Sequence, residues 1–552
     1  MGIPYYFTYL IKNHGAIIQP INNLTNNINY LYLDCNSIIY DAIDFSKYIN
    51  DELFEKELIQ NTINKIINII EIIKPCDIIF ISFDGIPPFA KMHQQKIRRY
   101  KSFIYNKLLN KNYPWNLASI TPGTPFMIKL NESIYKYFEN YVFNYWKNDY
   151  YSQIILNLSD VEGEGEHKIF DHIRSNKNNL EKHTVIYGMD SDLIMLSLNH
   201  LSYCNNIYLY RETPLFIESL NSELNNNEDY LLNINLLGNQ IYKELINDSS
   251  IQIDTPLWLT NAANELELTF NDININNNKF YNKICDYIFI CFLLGNDFMP
   301  HFPALNIRYN GFNKILDLYK TCVGENKFLI KNNNINLPLF KEFIKKLAQC
   351  EEMYIKEYYI IKNKITKKTN YNSSEESRLN NIPMCERNLE NFINIYEKEW
   401  EYRYYYSLFS IQNNNNYDKN ISYIVDNYMQ MLLWCYKYYT NGCNNWTLYY
   451  KYNYPPLLCD LYKYMPYFSS ELEISNNSNK VDYNMLLSYV LPFNSLNLLP
   501  EKIKNHLLTN FKDYYRDDYN IVYAFCKYYY EAHVEFNEIN INNLFQSIKM
   551  LI

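Results

Sequence analysis

Two acid-x-acid pairs, Glu164/Glu166 and Asp190/Asp192, each follow an apolar, strand-like run, at 153–158 and 184–187. In extended chain residues i and i+2 point the same way, so each pair is expected to aim two carboxylates at one spot just past a strand end. Four carboxylates gathered there repel, and burial worsens the repulsion unless cations lie between them. A lone pair of this kind reads most simply as a solvated acidic loop. Two, each behind a strand, favour a hard-metal site built from oxygen ligands. Gly163 and Gly165 leave the backbone open where a metal or phosphate would approach. With only 12 glycines in 552 residues, their position carries weight.

The same pattern runs through the N-terminal half. Residues 30–34 read as a buried strand ending on Asp34, followed by Cys35-Asn36-Ser37 and the apolar Ile38-Ile39-Tyr40. A helix is expected over 51–74, stopped by Pro75. A second buried strand over 77–83 leads to Asp84 and Gly85. Strand, helix, strand with an acid at each strand end describes a βαβ unit in a parallel sheet, and open α/β sheets bind ligands at those ends. After Pro87-Pro88 comes a basic helix on which Lys91, Gln95, Arg98 and Arg99 share one face. The bland alternative is a solvated basic face; adjacency to Asp84 favours a phosphate held beside metal ions. Residues 119–125 form a turn into an amphipathic helix over 126–148, and another strand is expected at 206–210. A buried helix over 287–294 closes on Gly295-Asn296, placing Asp297 at a turn as a seventh acid.

Composition limits the alternatives. A net charge of −9 argues against a general polyanion binder but leaves room for a local basic groove. The 12 cysteines form no C-x-x-C pair, which points away from zinc modules and disulfide frameworks and toward reduced thiols. The N-terminus lacks the pattern of a signal peptide, and no run approaches the ~20 apolar residues of a membrane span. A soluble intracellular protein is expected, cytoplasmic with a nuclear location left open, and with no membrane partner. Polar residues 364–385 read as a linker between domains at 1–363 and 386–552. Beyond it, Trp446 to Pro456 is an aromatic patch among lysines: core packing for most of its rings, base stacking for some.

Seven motifs, in order, resemble the Xrn-type 5′→3′ exoribonucleases, relatives of flap endonucleases. They are Met-Gly-Ile-Pro at 1–4, Tyr-Leu-Asp-x-Asn-Ser-Ile at 32–38, Phe-Asp-Gly-x-x-Pro-x-Ala-Lys-Met-x-Gln-Gln-x-x-Arg-Arg at 83–99, Ile-Thr-Pro-Gly-Thr-x-Phe-Met at 120–127, Gly-Glu-Gly-Glu-His-Lys at 163–168, Tyr-Gly-x-Asp-x-Asp-Leu-Ile-Met-Leu at 187–196 and Gly-Asn-Asp-Phe-x-Pro-His at 295–301. The resemblance is dense over 1–320 and weaker at about 425–465. It implies a PIN/flap-nuclease-like α/β domain, a mostly parallel sheet flanked by helices, with a mainly helical aromatic domain closing over the site. It implies that Asp34, Asp84, Glu164, Glu166, Asp190, Asp192 and Asp297 are catalytic metal ligands for two Mg²⁺ or Mn²⁺ ions. It assigns Lys91, Gln95, Arg98 and Arg99 to the 5′-monophosphate of a single-stranded RNA, and Tyr40 and Trp446 to base stacking. Two departures stand out: Tyr40 replaces a family histidine, and Leu448 replaces one of two family tryptophans. The expected activity is processive release of nucleoside 5′-monophosphates. The alternatives are a flap-type DNA nuclease and an inactive RNA-binding scaffold.

Overall fold

The computed structural model describes the chain except residues 1–2, 4, 22–26, 140, 142–152, 177–178, 212–216, 218–223, 226–227, 247–277, 369–373 and 538. Its first half is built on a seven-stranded sheet: β1 (Ile18–Pro20), β2 (Tyr30–Asp34), β3 (Ile78–Ser82), β4 (Gln153–Asn157), β5 (His183–Tyr187), β6 (Asn206–Arg211) and β7 (Tyr230–Asn233). The spatial order is β1-β7-β6-β5-β2-β3-β4. The five strands from β6 to β4 run parallel, and β7 and β1 close one edge antiparallel. From β2 the chain proceeds to one side through β3 and β4, then returns to β2's other side with β5. Asp34, at the carboxyl end of β2, therefore lies where the strand order reverses, the place at which open α/β sheets take ligands.

Side chains alternate between two cores with the period of two that a strand imposes. Leu31, Leu33, Ile79, Ile81, Val185 and Tyr187 face one way. There they meet α2 (Asn36–Asp41), α3 (Asp51–Ile73) and α5 (Pro125–Phe138). Tyr30, Tyr32, Phe80 and Ile186 face the other, against α1 (Tyr6–Asn13), α6 (Gly165–Ser175), α7 (Asp192–Asn199) and α8 (Asn278–Cys291). α3 begins on an Asn50 side-chain cap and ends on Lys74 in the left-handed conformation, just before Pro75. α5 ends at Phe138; the remainder of the helix expected over 126–148 falls largely outside the described residues.

The second of these cores runs on, without a break, into the C-terminal half. Its axis is α10 (Tyr417–Asn441), buried over most of its surface beyond Asp426, with Trp434, Tyr436, Tyr438 and Tyr439 among the buried rings. α9 (Leu337–Lys368) joins the same core through the short helix Leu458–Tyr464, which touches both, and extends into the segment expected as a linker; Glu375–Asn380 and Ile382–Cys385 in that segment are also helical. Among the described residues, no helix is long and apolar enough to cross a membrane.

The basic helix α4 (Phe89–Leu108) lies between the two halves rather than on the surface. Its Tyr100 hydroxyl donates to Leu491 O at 3.2 Å, and His93 Nδ1 lies 2.8 Å from Tyr489 Oη. Lys96 is enclosed by aromatic rings, its Nζ 3.7 Å from the centroid of Phe536 and 4.3 Å from that of Tyr514. Such faces attract a cation and replace part of its lost hydration.

Glu390 is the polar knot of the helical half. Its carboxylate accepts from Lys362 Nζ at 2.6 Å, Arg387 Nε at 2.7 Å, Phe525 N at 2.9 Å and Tyr358 Oη at 3.3 Å. Removing one partner of a buried pair leaves the other charge uncompensated. Glu390→Ala is therefore expected to cost about 3–5 kcal/mol, read as a lower urea midpoint with unchanged slope; a loss below about 1 kcal/mol would show the knot to be dispensable.

Candidate active site

All seven expected acids come together at the carboxyl ends of β2 to β5. Asp34 ends β2, and Asp84 lies two residues past β3. The acid-x-acid pairs reach the site differently from the extended-chain expectation. Glu164 is the N-cap of α6 and Glu166 sits in its first turn, while Ser191 caps α7 and Asp192 opens it. The pairs share a direction because a loop turns into a helix there, and helix N-termini favour negative charge. Gly163 makes the turn at φ +101°, and its carbonyl accepts from Gly85 N at 2.9 Å, joining the two acidic loops. Gly165 allows close approach: a Cβ there would stand 2.7 Å from Asp34 Oδ1. Its amide donates to Asp84 Oδ1 at 2.7 Å. Lys168 Nζ donates to Phe83 O and Leu158 O, both at 2.8 Å, and so ties together the chain just past β3 and β4.

Asp297 is presented by a turn after α8. Gly295 takes φ +84°, and Asn296 Oδ1 accepts from Phe298 N and Met299 N at 2.9 Å. The acids then form two groups. Asp190, Asp192 and Asp297 offer ligand atoms within 4.8 Å of one another, as do Glu164, Glu166 and His167. Asp192 Oδ1 is buried without a hydrogen-bond partner among the described residues. Oxygen donors crowded in this way fit hard divalent ions such as Mg²⁺ or Mn²⁺.

The protein offsets part of the charge itself. Lys91 Nζ lies 2.6 Å from Glu164 Oε2 and 3.0 Å from Asp297 Oδ2, linking the two groups. Burial works against the Lys91 charge, but Glu164 and Asp297 hold its pKa well above the ordinary value. The compensation is incomplete. Burial, with Asp84 and Asp190 adding, raises the Asp34 carboxyl well above the usual carboxylate range. Asp192 is pushed up to about 8 by burial and by the charges of Asp190 and Asp297.

The remaining basic-helix residues spread around this centre. Arg99 Nη2 donates to Thr121 Oγ1 at 2.7 Å, which gives the Thr-Pro-Gly-Thr turn a role that its sequence did not reveal. Arg99 Nη1 and Gln95 Oε1 are buried without hydrogen-bond partners among the described residues. Burial lowers the Arg99 pKa to about 10, opposed by the Tyr40 and Asp84 charges, and Arg98 lowers it further. Tyr40 on α2 is 43% exposed, an open ring beside Arg99. Trp446 is half-buried near the start of α4, where its carbonyl accepts from Phe89 N at 2.8 Å and Lys480 Nζ stands 4.8 Å from its ring. Leu448 packs against the large core.

A cavity of about 650 Å³ opens between α4, Asp297 and the helical half. It is lined by Arg98, Lys101, Arg211 and Arg308, with Tyr449 and Tyr452 among its aromatic walls. Arg211 Nη2 also donates to Met189 O at 3.1 Å, bracing the loop that carries Asp190.

Two neighbours of the acids had no part in the sequence-based site. His167, inside the Gly-Glu-Gly-Glu-His-Lys motif, is three residues from Glu164 on α6. Tyr438, on α10, donates its hydroxyl to Glu164 Oε1 at 2.6 Å. The first was legible as an i, i+3 neighbour of Glu164; the second, 274 residues away, had no local signal.

The fold and the site define a PIN-like α/β core joined to a helical region. Known sequences agree. The pattern described as "XRN 5'-3' exonuclease N-terminus" matches residues 1–213, and that described as "Xrn1 helical domain" matches residues 277–391 and 367–551. The 5'-3' exoribonuclease 1 of Saccharomyces cerevisiae is 30% identical over 373 residues, covering 64% of this chain and 23% of the relative. The human protein of that name is 26% identical over 573 residues, 92% of this chain and 31% of the relative. The 5'-3' exoribonuclease 2 of Arabidopsis thaliana is 28% identical over 412 residues, 64% of this chain and 40% of the relative. The chain thus spans well under half the length of these relatives. It belongs to the Xrn-type 5′–3′ exoribonuclease family.

The raised Asp192 carboxyl gives a test. It titrates near 3.8 when unfolded and near 8 when folded. Between those values the folded state binds the extra proton, so the metal-free protein loses stability as pH rises toward 8. Metal binding needs the carboxylates deprotonated and therefore strengthens over the same interval. In EDTA, Tm is expected to fall between pH 7 and 8, less so in Asp192→Asn, and the rise in Tm caused by Mn²⁺ should be larger at pH 8. An EDTA Tm that responds to pH identically in both proteins would contradict the assignment.

Proposed function

We propose that this chain is a metal-dependent 5′→3′ exoribonuclease that degrades single-stranded RNA carrying a 5′-monophosphate, one nucleotide at a time. The observation that carries the reading is the meeting of seven carboxylates, from five separate points of the chain, with the inward side of one basic helix. The relatives named 5'-3' exoribonuclease support the activity. The finer points rest on the residues themselves.

Asp34, Asp84, Glu164, Glu166, Asp190, Asp192 and Asp297 would hold two Mg²⁺ or Mn²⁺ ions. Bound there, the metals would lower the pKa of the attacking water and stabilise charge on the scissile phosphate and the departing oxygen. Arg99 has an unpartnered guanidinium donor, Nη1, and with Lys91, Gln95 and Arg98 on the same helix it would bind a terminal phosphate. Tyr40, open beside Arg99, gives the first base a flat surface. Water attacks the phosphorus that follows the first nucleotide, and that nucleotide's 3′-oxygen leaves and takes a proton. The released product is a nucleoside 5′-monophosphate. The shortened RNA retains the phosphate at its new 5′ end, so the same pocket serves the next cycle. Beyond the scissile bond, the cavity's arginines and tyrosines suit a single strand, with backbone charge met by the cations and bases by the rings.

The decisive experiment is a side-by-side time course on one RNA bearing a 5′-monophosphate, 5′-hydroxyl or 5′-triphosphate, and on the matching 5′-monophosphate DNA. Rapid decay of the monophosphate RNA alone is expected, abolished by EDTA. Asp192→Asn should lower turnover at least ~100-fold, since metal clamps supply several kcal/mol to the transition state. Arg99→Ala should erase most of the preference for monophosphate over hydroxyl. Equal rates on all three RNA ends would remove end recognition, faster decay of DNA would favour a flap-type nuclease, and no decay at all would favour an RNA-binding scaffold.

A further inference from the structure

Glu164 is held by both halves of the protein. Its Oε2 accepts from Lys91, on α4, and its Oε1 accepts from the Tyr438 hydroxyl, on α10, at 2.6 Å. Tyr438 cannot easily move. Its ring stacks on His167, with centroids 3.6 Å apart and planes 19° apart. Trp434, one turn earlier on α10, stacks at 4.7 Å, and Phe298, the residue after Asp297, packs edge-on at 5.7 Å. Trp434 is fixed in turn by its Nε1, which donates to Asn445 O at 2.8 Å. The Asp297 turn, the α6 acids and α10 therefore meet at one phenol ring.

We propose that Tyr438 is a positioning residue for the metal site: its hydroxyl fixes the Glu164 carboxylate and makes the geometry of the acids depend on the docking of α10. The inference rests on the metal-dependent reading given above. A carboxylate with one oxygen held by a neutral donor keeps its full charge but loses rotational freedom. Its other oxygen, on Lys91, then faces Asp297 across that ammonium group. Partners that orient metal ligands typically contribute ~10–100-fold to metal affinity or activity when removed. The arrangement also gives α10 a reason to be tyrosine-rich where it faces the acids: Tyr438 meets Glu164, and the charge of Asp192 acts on the neighbouring Tyr439.

Tyr438→Phe tests this, because it removes the hydroxyl and keeps the ring on which His167 and Trp434 stack. The control is Tyr428→Phe on the same helix, whose buried hydroxyl has no hydrogen-bond partner among the described residues. Two readouts are compared in the full chain without RNA: the Mn²⁺ concentration giving half the rise in Tm, each protein against its own EDTA value, and Mn²⁺ binding by calorimetry. A third is the Mn²⁺ dependence of turnover. For Tyr438→Phe the half-saturating Mn²⁺ should rise about tenfold or more, with turnover largely recovered at saturating metal, while Tyr428→Phe matches the wild type. Equal Mn²⁺ dependence in wild type and Tyr438→Phe would overturn the proposal and leave the nuclease reading intact. Equal shifts in both Phe variants would also overturn it, by showing a general loosening of α10. Absence of Mn²⁺ binding by the wild type would overturn the metal-dependent reading and this proposal with it.

Discussion

Mutual repulsion among seven buried or half-buried carboxylates is the constraint on which the rest of this structure depends. Such a cluster is tolerable only if the protein supplies compensation and the scaffold resists opening. Lys91 supplies charge, Gly165 N and the Tyr438 hydroxyl supply hydrogen bonds, and two helix N-termini supply partial positive charge. None of these comes from far along the same element. The compensating groups arrive from α4, α6, α7 and α10, so both halves of the chain contribute to the centre.

That requirement explains the unusual burial of α4. A helix carrying Lys91, Lys96, Arg98, Arg99 and Lys101 would ordinarily face water. Here it is the seam between the halves: Lys91 points into the acids, Lys96 into an aromatic box, and Arg98 and Lys101 into the cavity. One helix thereby links the acids, through Lys91, to the cavity lined by Arg98 and Lys101. The sheet topology does the corresponding work from below, since reversal of strand order at β2 brings four acidic strand ends together.

Much of this was legible in the sequence because it follows from local rules. The strands ending at Asp34 and before Asp84 stand within a residue or two of expectation, since continuous apolar runs between turn signals can be read as buried strands. The convergence of the six acids past β2 to β5 followed from parallel order, while Asp297 reaches them from a turn after α8. What escaped was mostly non-local. The direction shared by Glu164 and Glu166 comes from a helix start rather than extended chain, a distinction that two residues of separation cannot make. The segment at 364–385 reads as polar and turn-rich, yet it carries the end of α9 and two short helices that pack through Leu379, Pro383 and Met384. The tie from Tyr438 to Glu164 spans most of the chain, and in a protein with 57 tyrosines no single one is marked by its neighbours.

The central claim is that these acids form a divalent-metal centre whose charge Lys91 balances when no ion is bound. Anomalous diffraction from crystals soaked in Mn²⁺ tests it most directly. The account predicts Mn²⁺ peaks among Asp34, Asp84, Glu164, Glu166, Asp190, Asp192 and Asp297, with Lys91 Nζ withdrawn from Glu164 and Asp297. Mn²⁺ peaks confined to other parts of the surface, with Lys91 still paired to both acids, would contradict it.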